Sequence, residues 1–272
     1  MRRADDRGRA VHVVGRTIIG GLLFLLAASV RAEPVYLALL IDDLGYNRAE
    51  IQAIVDLPAP VSGAVLPHAP YSRMAAEELH RHGRDVLLHL PMEPQEPRLD
   101  DPGVLRRDMT PRELALTVEF DLTTVPHAVG INNHMGSLLT QDIHTMRVLM
   151  RELRQQGDLF FLDSLTSAQS VAHAIAREQA IPTLVRDVFL DNDRTPDAIR
   201  AQLARAVDKA RRHGSAIAIG HPYPETLAVL STSLPVMERQ GVEVVPISTL
   251  VTHQTARRIA PVHDAMPNAG EP

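Results

Sequence analysis

The chain carries an apolar run, Leu37-Ala38-Leu39-Leu40-Ile41-Asp42-Asp43-Leu44-Gly45, that ends on two adjacent carboxylates and then meets a glycine. A run this short, with Pro34 before it, predicts a buried parallel strand rather than a helix. Such strands deliver their last residues to the mouth of an α/β fold, where ligands bind. Two neighbouring carboxylates repel each other, which is tolerable if one holds a metal ion and the other stays free as a base. The alternative is that an aspartate only caps the helix that follows.

Helices and strands are predicted to alternate along the rest of the chain. Glycines that follow charged, amphipathic stretches mark helix ends, and Thr110-Pro111-Arg112-Glu113 and Asn47 mark helix starts. The predicted strands cover residues 36–41, 61–66, 86–90, 128–132, 159–162, 183–189, 216–219 and 242–247. Parallel βαβ units in this number predict one α/β domain with a closed or nearly closed barrel of seven to eight strands. A doubly wound open sheet is the alternative, but no glycine-rich phosphate loop supports it.

The two ends of the chain are predicted to lie outside this domain. Residues 1–32 place several arginines before an apolar segment, and Val30-Arg31-Ala32 offers the small residues that signal peptidase prefers. We therefore predict a signal peptide over residues 1–32, a folded domain over 33–251 and a disordered tail over 252–272. The expected location is the periplasm, and an inner-membrane protein anchored by an uncleaved leader is the alternative.

Charge and cysteine content exclude some classes of partner. The first 32 residues hold six arginines and two aspartates, so their removal takes the formal charge from −5 to −9. A chain this acidic is not expected to bind nucleic acid, and we expect contact with the membrane only through the leader during export. The chain has no cysteine, so its stability must come from core burial without disulfides.

Ionisable side chains are concentrated at the predicted strand ends. In chain order they are Asp42, Asp43, His68, His89, Glu93, Asn132, Asn133, His134, Asp163, Ser164, Arg186, Asp187, Asp191 and His221. Any one of them could be structural, but a barrel gathers the carboxyl ends of its strands at one mouth. Four histidines that converge with three or more carboxylates favour a metal site.

Several of these segments resemble a known family. Ile41-Asp42-Asp43-Leu44-Gly45 and Ile219-Gly220-His221 resemble the first and last motifs of the NodB-homology polysaccharide deacetylases. The longer segments Asn132-Asn133-His134-Met135-Gly136-Ser137, Phe161-Leu162-Asp163-Ser164, Arg186-Asp187-Val188-Phe189-Leu190-Asp191 and Gly220-His221-Pro222-Tyr223-Pro224-Glu225-Thr226 resemble the divergent polysaccharide deacetylase family. The resemblance covers about residues 35–250, nearly all of the predicted mature chain.

The resemblance implies a deformed (β/α) barrel and a divalent metal, usually zinc. In the NodB class the first aspartate of the pair is the base and the second is a metal ligand, which maps onto Asp42 and Asp43. Two histidines at H-x-x-x-H spacing normally complete the ligand set, whereas here His89 is followed at the fifth position by Glu93. His134, at the next strand end, is the candidate replacement ligand.

A second departure concerns the arginine that the wider family places after its fourth strand to position the base. The corresponding residues here, 132–137, contain no arginine. Arg186 is expected to supply this charge from a later strand, with Asp163 or Asp187 orienting it. The alternative is an arginine paired with a neighbouring acid at the barrel rim.

The function expected from these features is metal-dependent hydrolysis of N- or O-acetyl groups on a cell-envelope polysaccharide. The expected metal ligands are Asp43, His89, His134 and Glu93; the expected catalytic residues are Asp42, His221, Asp163 and Arg186; and the expected substrate contacts are His68, Tyr71, Asn133 and Tyr223. One alternative is a non-catalytic periplasmic protein that keeps the fold to bind carbohydrate. The other is a glycoside hydrolase, because paired carboxylates on barrel strands also serve that chemistry.

Overall fold

Nine strands and eight α-helices alternate along the described part of the chain, which in this computed structural model comprises residues 34–96 and 102–259. The strands are β1 (Val35–Leu44), β2 (Ser62–Val65), β3 (Val86–Met92), β4 (Ala128–Met135), β5 (Phe160–Asp163), β6 (Thr183–Val185), β7 (Val188–Phe189), β8 (Ser215–Gly220) and β9 (Val242–Val245). The helices are α1 (Arg48–Val55), α2 (Ser72–Arg81), α3 (Pro111–Thr124), α4 (Ile143–Gln155), α5 (Ala172–Glu178), α6 (Pro196–His213), α7 (Pro224–Arg239) and α8 (Ile247–Ile259). The predicted signal peptide lies outside these residues.

All pairs in the sheet are parallel, and β1 lies at its centre. The strand order is β6-β5-β4-β3-β2-β1-β8-β7, and β9 pairs with the first half of β1 beside β2. On its other edge β1 pairs with β8 from Tyr36 to Ile41. The sheet curls into a half-barrel with helices on its outer face, which confirms the predicted α/β class and its barrel-like parallel sheet.

The predicted strand over residues 183–189 is interrupted. Its first part, β6, pairs with β5, and its last part, β7, pairs with β8 at the opposite end of the sheet. Between them the N–H of Arg186 donates to the carbonyl of Asp163 at 3.0 Å, and the N–H of Asp187 donates to the carbonyl of Ile217 at 2.9 Å. These two residues therefore bridge the two ends of the sheet, and the described strands number nine rather than the predicted seven to eight.

Helix starts follow the caps that the sequence indicates. Thr110 and Glu113 form a reciprocal capping box at the start of α3, with Pro111 as the first helical residue. Asn47 caps α1 by accepting a hydrogen bond from the N–H of Ala49 at 3.0 Å. Because Asn47 supplies this cap, the aspartate pair of β1 is not needed for it.

The core has two layers that follow the two-residue period of the strands. Leu37, Leu39 and Ile41 pack in the larger cluster between sheet and helices. Ala38 and Leu40 pack in a smaller cluster on the inner face of the curl, with apolar residues of the other strands and of α8. The inner face of the half-barrel is thus filled with side chains below the site.

The C-terminal helix corrects the predicted tail. α8 runs to Ile259, and its residues Ile247 and Leu250 are buried in the inner cluster. Their spacing places both on one helix face, which packs against the strands. The first eight residues of the predicted disordered tail, 252–259, are therefore helical. Within the described segments, no helix combines the length and the apolar character that a membrane crossing requires.

We expect the substitution Leu39→Ala, in the centre of β1, to lower the free energy of unfolding by about 2–5 kcal/mol, because it removes a fully buried side chain and leaves a cavity. Leu116→Ala is the matched control: this leucine of α3 is 53% exposed, and its loss should change stability by no more than about 0.5 kcal/mol. Urea unfolding followed by circular dichroism measures both. Equal losses would contradict the assigned core.

Candidate active site and metal centre

The inner face of the half-barrel changes from apolar to polar at one level. Following the two-residue period from Leu40, Leu87 and Ile219, the next inward positions are Asp42, His89 and His221. Asn132, Ser164 and Arg186 continue the same face on β4 and after β5 and β6. Parallel strands end together at one edge, so these side chains meet above the inner core.

Asp43 reaches the same level through its backbone. The alternation of side chains along β1 would turn Asp43 toward the helices. Its φ of 60°, however, lies in the left-handed region and redirects the chain. Aspartate tolerates this conformation better than most residues, although it still carries strain. Gly45 follows with a φ of 124°, and a Cβ there would lie 3.0 Å from the Cβ of Ala69, so the turn needs a glycine.

Three potential metal ligands form a small triangle at this level. Asp43 Oδ1 lies 3.1 Å from His89 Nε2 and 3.0 Å from His134 Nδ1, and the two nitrogens are 3.2 Å apart. His89 is 2% exposed. Asp43 Oδ1 is itself buried and, despite these short distances, accepts no hydrogen bond of good geometry from the described residues.

This donor set fits a small divalent cation. Ligand atoms in a tetrahedral zinc site are about 3.3–3.5 Å apart and those in an octahedral magnesium-sized site about 3 Å, so separations of 3.0–3.2 Å suit such ions. Two imidazoles and one carboxylate form a ligand set that zinc uses in enzymes. Asp43, His89 and His134 are also the group of potential ligands that converges within the described residues.

Asp42 lies beside the triangle and is held from one side. Its Oδ1 accepts a hydrogen bond from Asn132 Nδ2 at 2.9 Å, and its Oδ2 lies 3.6 Å from His89 Nε2. Burial raises the pKa of Asp42, and the negative charge of Asp43 adds to this, while His89 opposes it. Asp42 is thus a buried carboxyl group with one oxygen fixed and the other directed toward the metal ligands.

Electrostatic compensation within the cluster shifts Asp43 and His89 toward their charged forms. Burial opposes the charge of Asp43, but its contacts with His134 and His89 outweigh this effect and hold its pKa well below the usual range. Burial likewise opposes protonation of His89, but the charges of Asp42 and Asp43 raise its pKa to about 9. The pKa values therefore show a strong mutual attraction between acids and imidazoles.

His221 faces the triangle from the opposite wall. Its Nε2 lies 3.6 Å from Asp43 Oδ2, and its Nδ1 is 3.0 Å from Asp191 Oδ1. Asp191 is buried, and its Oδ2 accepts hydrogen bonds from the His221 N–H at 2.6 Å and from Thr226 Oγ1 at 2.8 Å. Burial would lower the pKa of His221, but the hydrogen bond with Asp191 and the charge of Asp43 raise it overall. The imidazole is oriented to donate a proton from Nε2.

Glu93 does not join the metal ligands. Its carboxylate Oε2 accepts from the N–H of Arg107 at 3.0 Å and lies 3.4 Å from Arg107 Nε. Its backbone pairs with Leu105, Leu138 and Leu139. Glu93 lies beyond the end of β3 and holds Leu105 and Arg107 ahead of α3, so the structure corrects the prediction that it binds metal.

The alternation of side chains along β4 and β5 turns Asn133 and Asp163 away from the inner face of the half-barrel. Asn133 is 1% exposed; its Oδ1 accepts from the N–H of Ser164 at 2.8 Å, and its Nδ2 donates to the carbonyl of Met135 at 2.8 Å. Asp163 accepts from the N–H of Leu165 at 2.8 Å and from Ser170 Oγ at 2.7 Å. Both side chains shape the loop after β5, which corrects the prediction that Asn133 contacts substrate.

Arg186 acts on the site indirectly. Its Nε donates to the carbonyl of Ser164 at 2.7 Å and an Nη donates to the carbonyl of Leu165 at 3.0 Å. Its guanidinium also lies 5.1 Å from the ring centre of Phe189. No described hydrogen bond joins it to Asp42, so its contribution is to hold the backbone of Ser164 and to add positive charge nearby.

The two tyrosines lie near the mouth, and His68 turns away from it. The N–H of Tyr71 donates to the carbonyl of Gly45, and Tyr223 lies 5.3 Å from His221 and stacks under Arg194 at 3.6 Å. His68 Nε2 instead lies 2.7 Å from Asp121 Oδ1 of α3. His68 therefore ties the loop after β2 to α3, which differs from its predicted role in substrate binding.

Two residues with central positions receive no role in the predicted deacetylase site. Asn132 and Asp191 are both polar residues at predicted strand ends, but nothing in their local sequence separates them from Asn133 and Asp187. The two-residue period could have identified Asn132, since it places that side chain on the face of Gly130 and opposite that of Ile131. Asp191 follows a loop, where the period no longer applies.

A parallel half-barrel with an aspartate pair and two histidines at its mouth defines a polysaccharide deacetylase-like protein. The chain matches the divergent polysaccharide deacetylase family over residues 39–251 and belongs to that family. It is 37% identical over 248 residues to the uncharacterized protein YibQ of Escherichia coli. The aligned residues cover 90% of this chain and 76% of that protein. This family assignment confirms the resemblance seen in the motifs.

Two further comparisons agree. An uncharacterized protein of Haemophilus influenzae is 43% identical over 198 residues, covering 73% of this chain and 70% of that protein. The crystal structure of an uncharacterized protein from Agrobacterium tumefaciens matches with a TM-score of 0.76 and 25% identity, over 81% of this chain and 90% of that one. The fold is therefore shared across the length of the domain.

The His68–Asp121 contact predicts a pH-dependent stability. Burial raises the pKa of Asp121 to about 8 and lowers the pKa of His68, so near neutral pH a protonated carboxyl group faces a neutral imidazole. An acid whose pKa is raised in the folded state loses stability as pH rises from its unfolded pKa, near 4, to its folded value. We expect Asp121→Asn, which does not ionise, to gain stability relative to the natural chain between pH 5 and pH 8.5. Urea unfolding at several pH values measures the difference, and a pH-independent difference would contradict a raised pKa.

Proposed function

We propose that this protein is a metal-dependent deacetylase that removes N- or O-acetyl groups from a cell-envelope polysaccharide. The observation that carries the proposal is the triangle of Asp43, His89 and His134, with Asp42 beside it and His221 opposite. Membership of the divergent polysaccharide deacetylase family supports the same reaction class. Zinc suits the two imidazoles and one carboxylate and is the proposed metal.

The residues divide the reaction between them. Asp43, His89 and His134 would hold the ion, which when bound acidifies water and polarises the acetyl carbonyl group. Asp42 Oδ2 accepts the proton of the attacking water, since Oδ1 is already hydrogen-bonded to Asn132. His221 Nε2 donates a proton to the departing amine or hydroxyl group, while Asp191 holds the imidazole at Nδ1. Asp163 and Arg186 support the loop after β5 rather than the reacting atoms.

Substrate contacts are proposed for the rim of the mouth. Tyr71 and Tyr223 are the predicted contacts that remain near it, and both carry exposed surface. The chain has no tryptophan and few other aromatic residues, so sugar rings would be held mainly by hydrogen bonds. The arginine-rich, apolar leader supports export, and the proposed location is the periplasm.

The hydrogen bonds of the carboxylates argue against a glycoside hydrolase. That chemistry needs two carboxyl groups about 5–10 Å apart on either side of the bond, and adjacent residues such as Asp42 and Asp43 cannot supply both. The candidates for a second acid, Asp163 and Asp191, have both oxygens occupied by hydrogen bonds within the protein. A carbohydrate-binding protein without activity has no use for a buried base and an oriented proton donor, but it remains the rival that the next two experiments separate.

We expect about one divalent metal ion per chain in the purified protein, and its loss in Asp43→Ala and His89→Ala, because each substitution removes one of three ligands. The metal content per chain is measured by elemental analysis after dialysis against buffer that contains a trace of the metal. Asp197→Ala and His144→Ala are matched controls, since both residues are exposed on helices and should leave the metal content unchanged. Wild-type protein that takes up no metal, even when reconstituted, would overturn the metal-dependent mechanism.

We expect Asp42→Asn to keep the metal and to lower the rate of acetate release by about 100-fold or more, because the isosteric amide cannot take a proton from water. The assay follows acetate released from acetylated chitin oligomers and acetylated cell-wall glycan. Reducing ends, measured in parallel, report glycosidic cleavage. Metal-loaded wild-type protein that binds these glycans but releases no acetate would favour the binding protein, and unchanged acetate release from Asp42→Asn would exclude Asp42 as the base.

A further inference from the structure

We propose that Asn132 is the positioning residue of this site, whose single amide group fixes both the proton of the ligand His89 and the free oxygen of Asp42. The inference rests on the proposed function, because it assigns the residue that prepares a metal ligand and a base together. Asn132 is fully buried on β4, at the level of its strand neighbour His89, so its side chain does not reach solvent.

Three contacts define the orientation of the amide. Its Nδ2 is 2.9 Å from Asp42 Oδ1 and 3.1 Å from Ser164 Oγ, and its Oδ1 is 3.0 Å from His89 Nδ1. Asp42 must be ionised to act as the base, and an ionised carboxylate only accepts hydrogen bonds, so in that form the amide nitrogen faces Asp42. The reversed amide would press two oxygens together at 2.9 Å. The amide oxygen is therefore forced to face His89.

The forced oxygen determines the state of His89. An amide oxygen only accepts, so His89 Nδ1 must carry a proton and donate it. To bind metal, His89 must lose one of its two ring protons, and because Asn132 holds the proton of Nδ1, the lone pair forms on Nε2. That atom lies 3.1 Å from Asp43 Oδ1 and 3.2 Å from His134 Nδ1. A metal-binding histidine is generally oriented by a hydrogen bond at its other nitrogen, and loss of that bond weakens metal binding about 10–100-fold. Asn132 supplies this bond.

The other end of the amide leaves Asp42 with one free oxygen. Oδ1 receives the Asn132 hydrogen bond, while Oδ2 points to the side of His89 Nε2 at 3.6 Å. The sheet register brings Asn132 beside His89, because the two residues are direct neighbours across β3 and β4. Ser164, whose carbonyl Arg186 holds, completes the hydrogen bonds of the amide nitrogen. The charge of Arg186 is thus connected to the base through Ser164 and Asn132.

Two substitutions separate the two ends of the amide. Asn132→Asp keeps an oxygen that accepts from His89 but places a second carboxylate against Asp42. Asn132→Leu removes both contacts at similar volume. Asn133→Leu is the matched control, because Asn133 is buried on the same strand but its hydrogen bonds go to Met135, Ser164 N–H and Thr166 rather than to His89 or Asp42.

The first readout is the imidazole proton of His89 in nitrogen–proton NMR spectra, which requires neither metal nor substrate. The spectra are recorded above the His89 pKa of about 9, where the ring is neutral and only one nitrogen carries a proton. We expect the wild-type protein to show an exchange-protected Nδ1–H, and Asn132→Asp and Asn133→Leu to keep it. Asn132→Leu should lose its protection. An unprotonated His89 Nδ1 in the wild-type protein would overturn the proposal by itself. The test therefore does not depend on whether the variants fold.

The second readout is zinc affinity, measured by competition with a chelating dye. We expect Asn132→Leu to bind zinc about 10–100-fold more weakly, and Asn132→Asp and Asn133→Leu to stay within about threefold of wild type. Acetate release should fall about 100-fold in Asn132→Asp despite its bound zinc. Equal zinc affinity in Asn132→Leu and wild type, or full turnover in Asn132→Asp, would contradict the proposal.

The two proposals fail in different ways. If wild-type protein releases no acetate while the His89 proton and zinc affinity respond as expected, the deacetylase function fails and the positioning of the ligand stands. If wild-type protein is active but the variants leave the proton, the affinity and the turnover unchanged, the function stands and the role of Asn132 fails.

Discussion

The site depends on the compensation of buried charge. Asp42, Asp43, His89 and His134 bring two acids and two bases into a mostly buried volume, where an isolated charge would carry a large desolvation penalty. The charges of Asp43 and His89 are tolerable because the other groups surround them, as the lowered pKa of Asp43 and the raised pKa of His89 show. Since a divalent cation would compensate the same carboxylates, the ionic cluster and the metal site are two uses of one arrangement.

The parallel sheet creates this arrangement through its two-residue period. Below the site, the inward positions of β1, β3 and β8 carry Leu40, Leu87 and Ile219, which exclude water from the floor. One step further, the same positions are polar. The apolar floor strengthens every polar contact above it, because the effective dielectric constant is lower there than in bulk water. Core packing and site chemistry are therefore successive layers of the same strands.

The sequence predicted the fold well because its signals are local. Helix caps, glycine stops and short apolar runs define βαβ units, and handedness then restricts how these can be wound. It failed at Arg186 and Asp187, where one apolar run changes its partner strand, and at α8, whose packing on the inner cluster is a long-range contact. Both features depend on contacts between residues that are distant in sequence, and the local periodicity of apolar residues carries no information on such contacts.

Within the site, the sequence could identify the strand ends but not the direction of each side chain. The two-residue alternation of side chains distinguishes Asn132 from Asn133. It does not predict that the positive φ of Asp43 turns this residue inward, although its position in β1 would place it on the outer face. The contact of His68 with α3 is missed for a related reason, since only the tertiary structure shows that Asp121 lies 2.7 Å from its ring.

The position of the third ligand shows how strand register can replace sequence spacing. A ligand four residues after His89 would be Glu93, but that residue lies past β3 and its carboxylate contacts Arg107. On β4, the partner of His89 is Asn132, and His134 lies two residues further on the same face. From there the ring reaches back to the triangle with Nδ1, the nitrogen nearer its backbone, whereas His89 uses the more distant Nε2. His134 lies further along the barrel axis than His89, and the use of Nδ1 by one ring and Nε2 by the other brings both nitrogens to the same triangle. Because β4 supplies the ligand, Glu93 is available to organise the loop before α3, and a motif search along one strand would find neither residue's function.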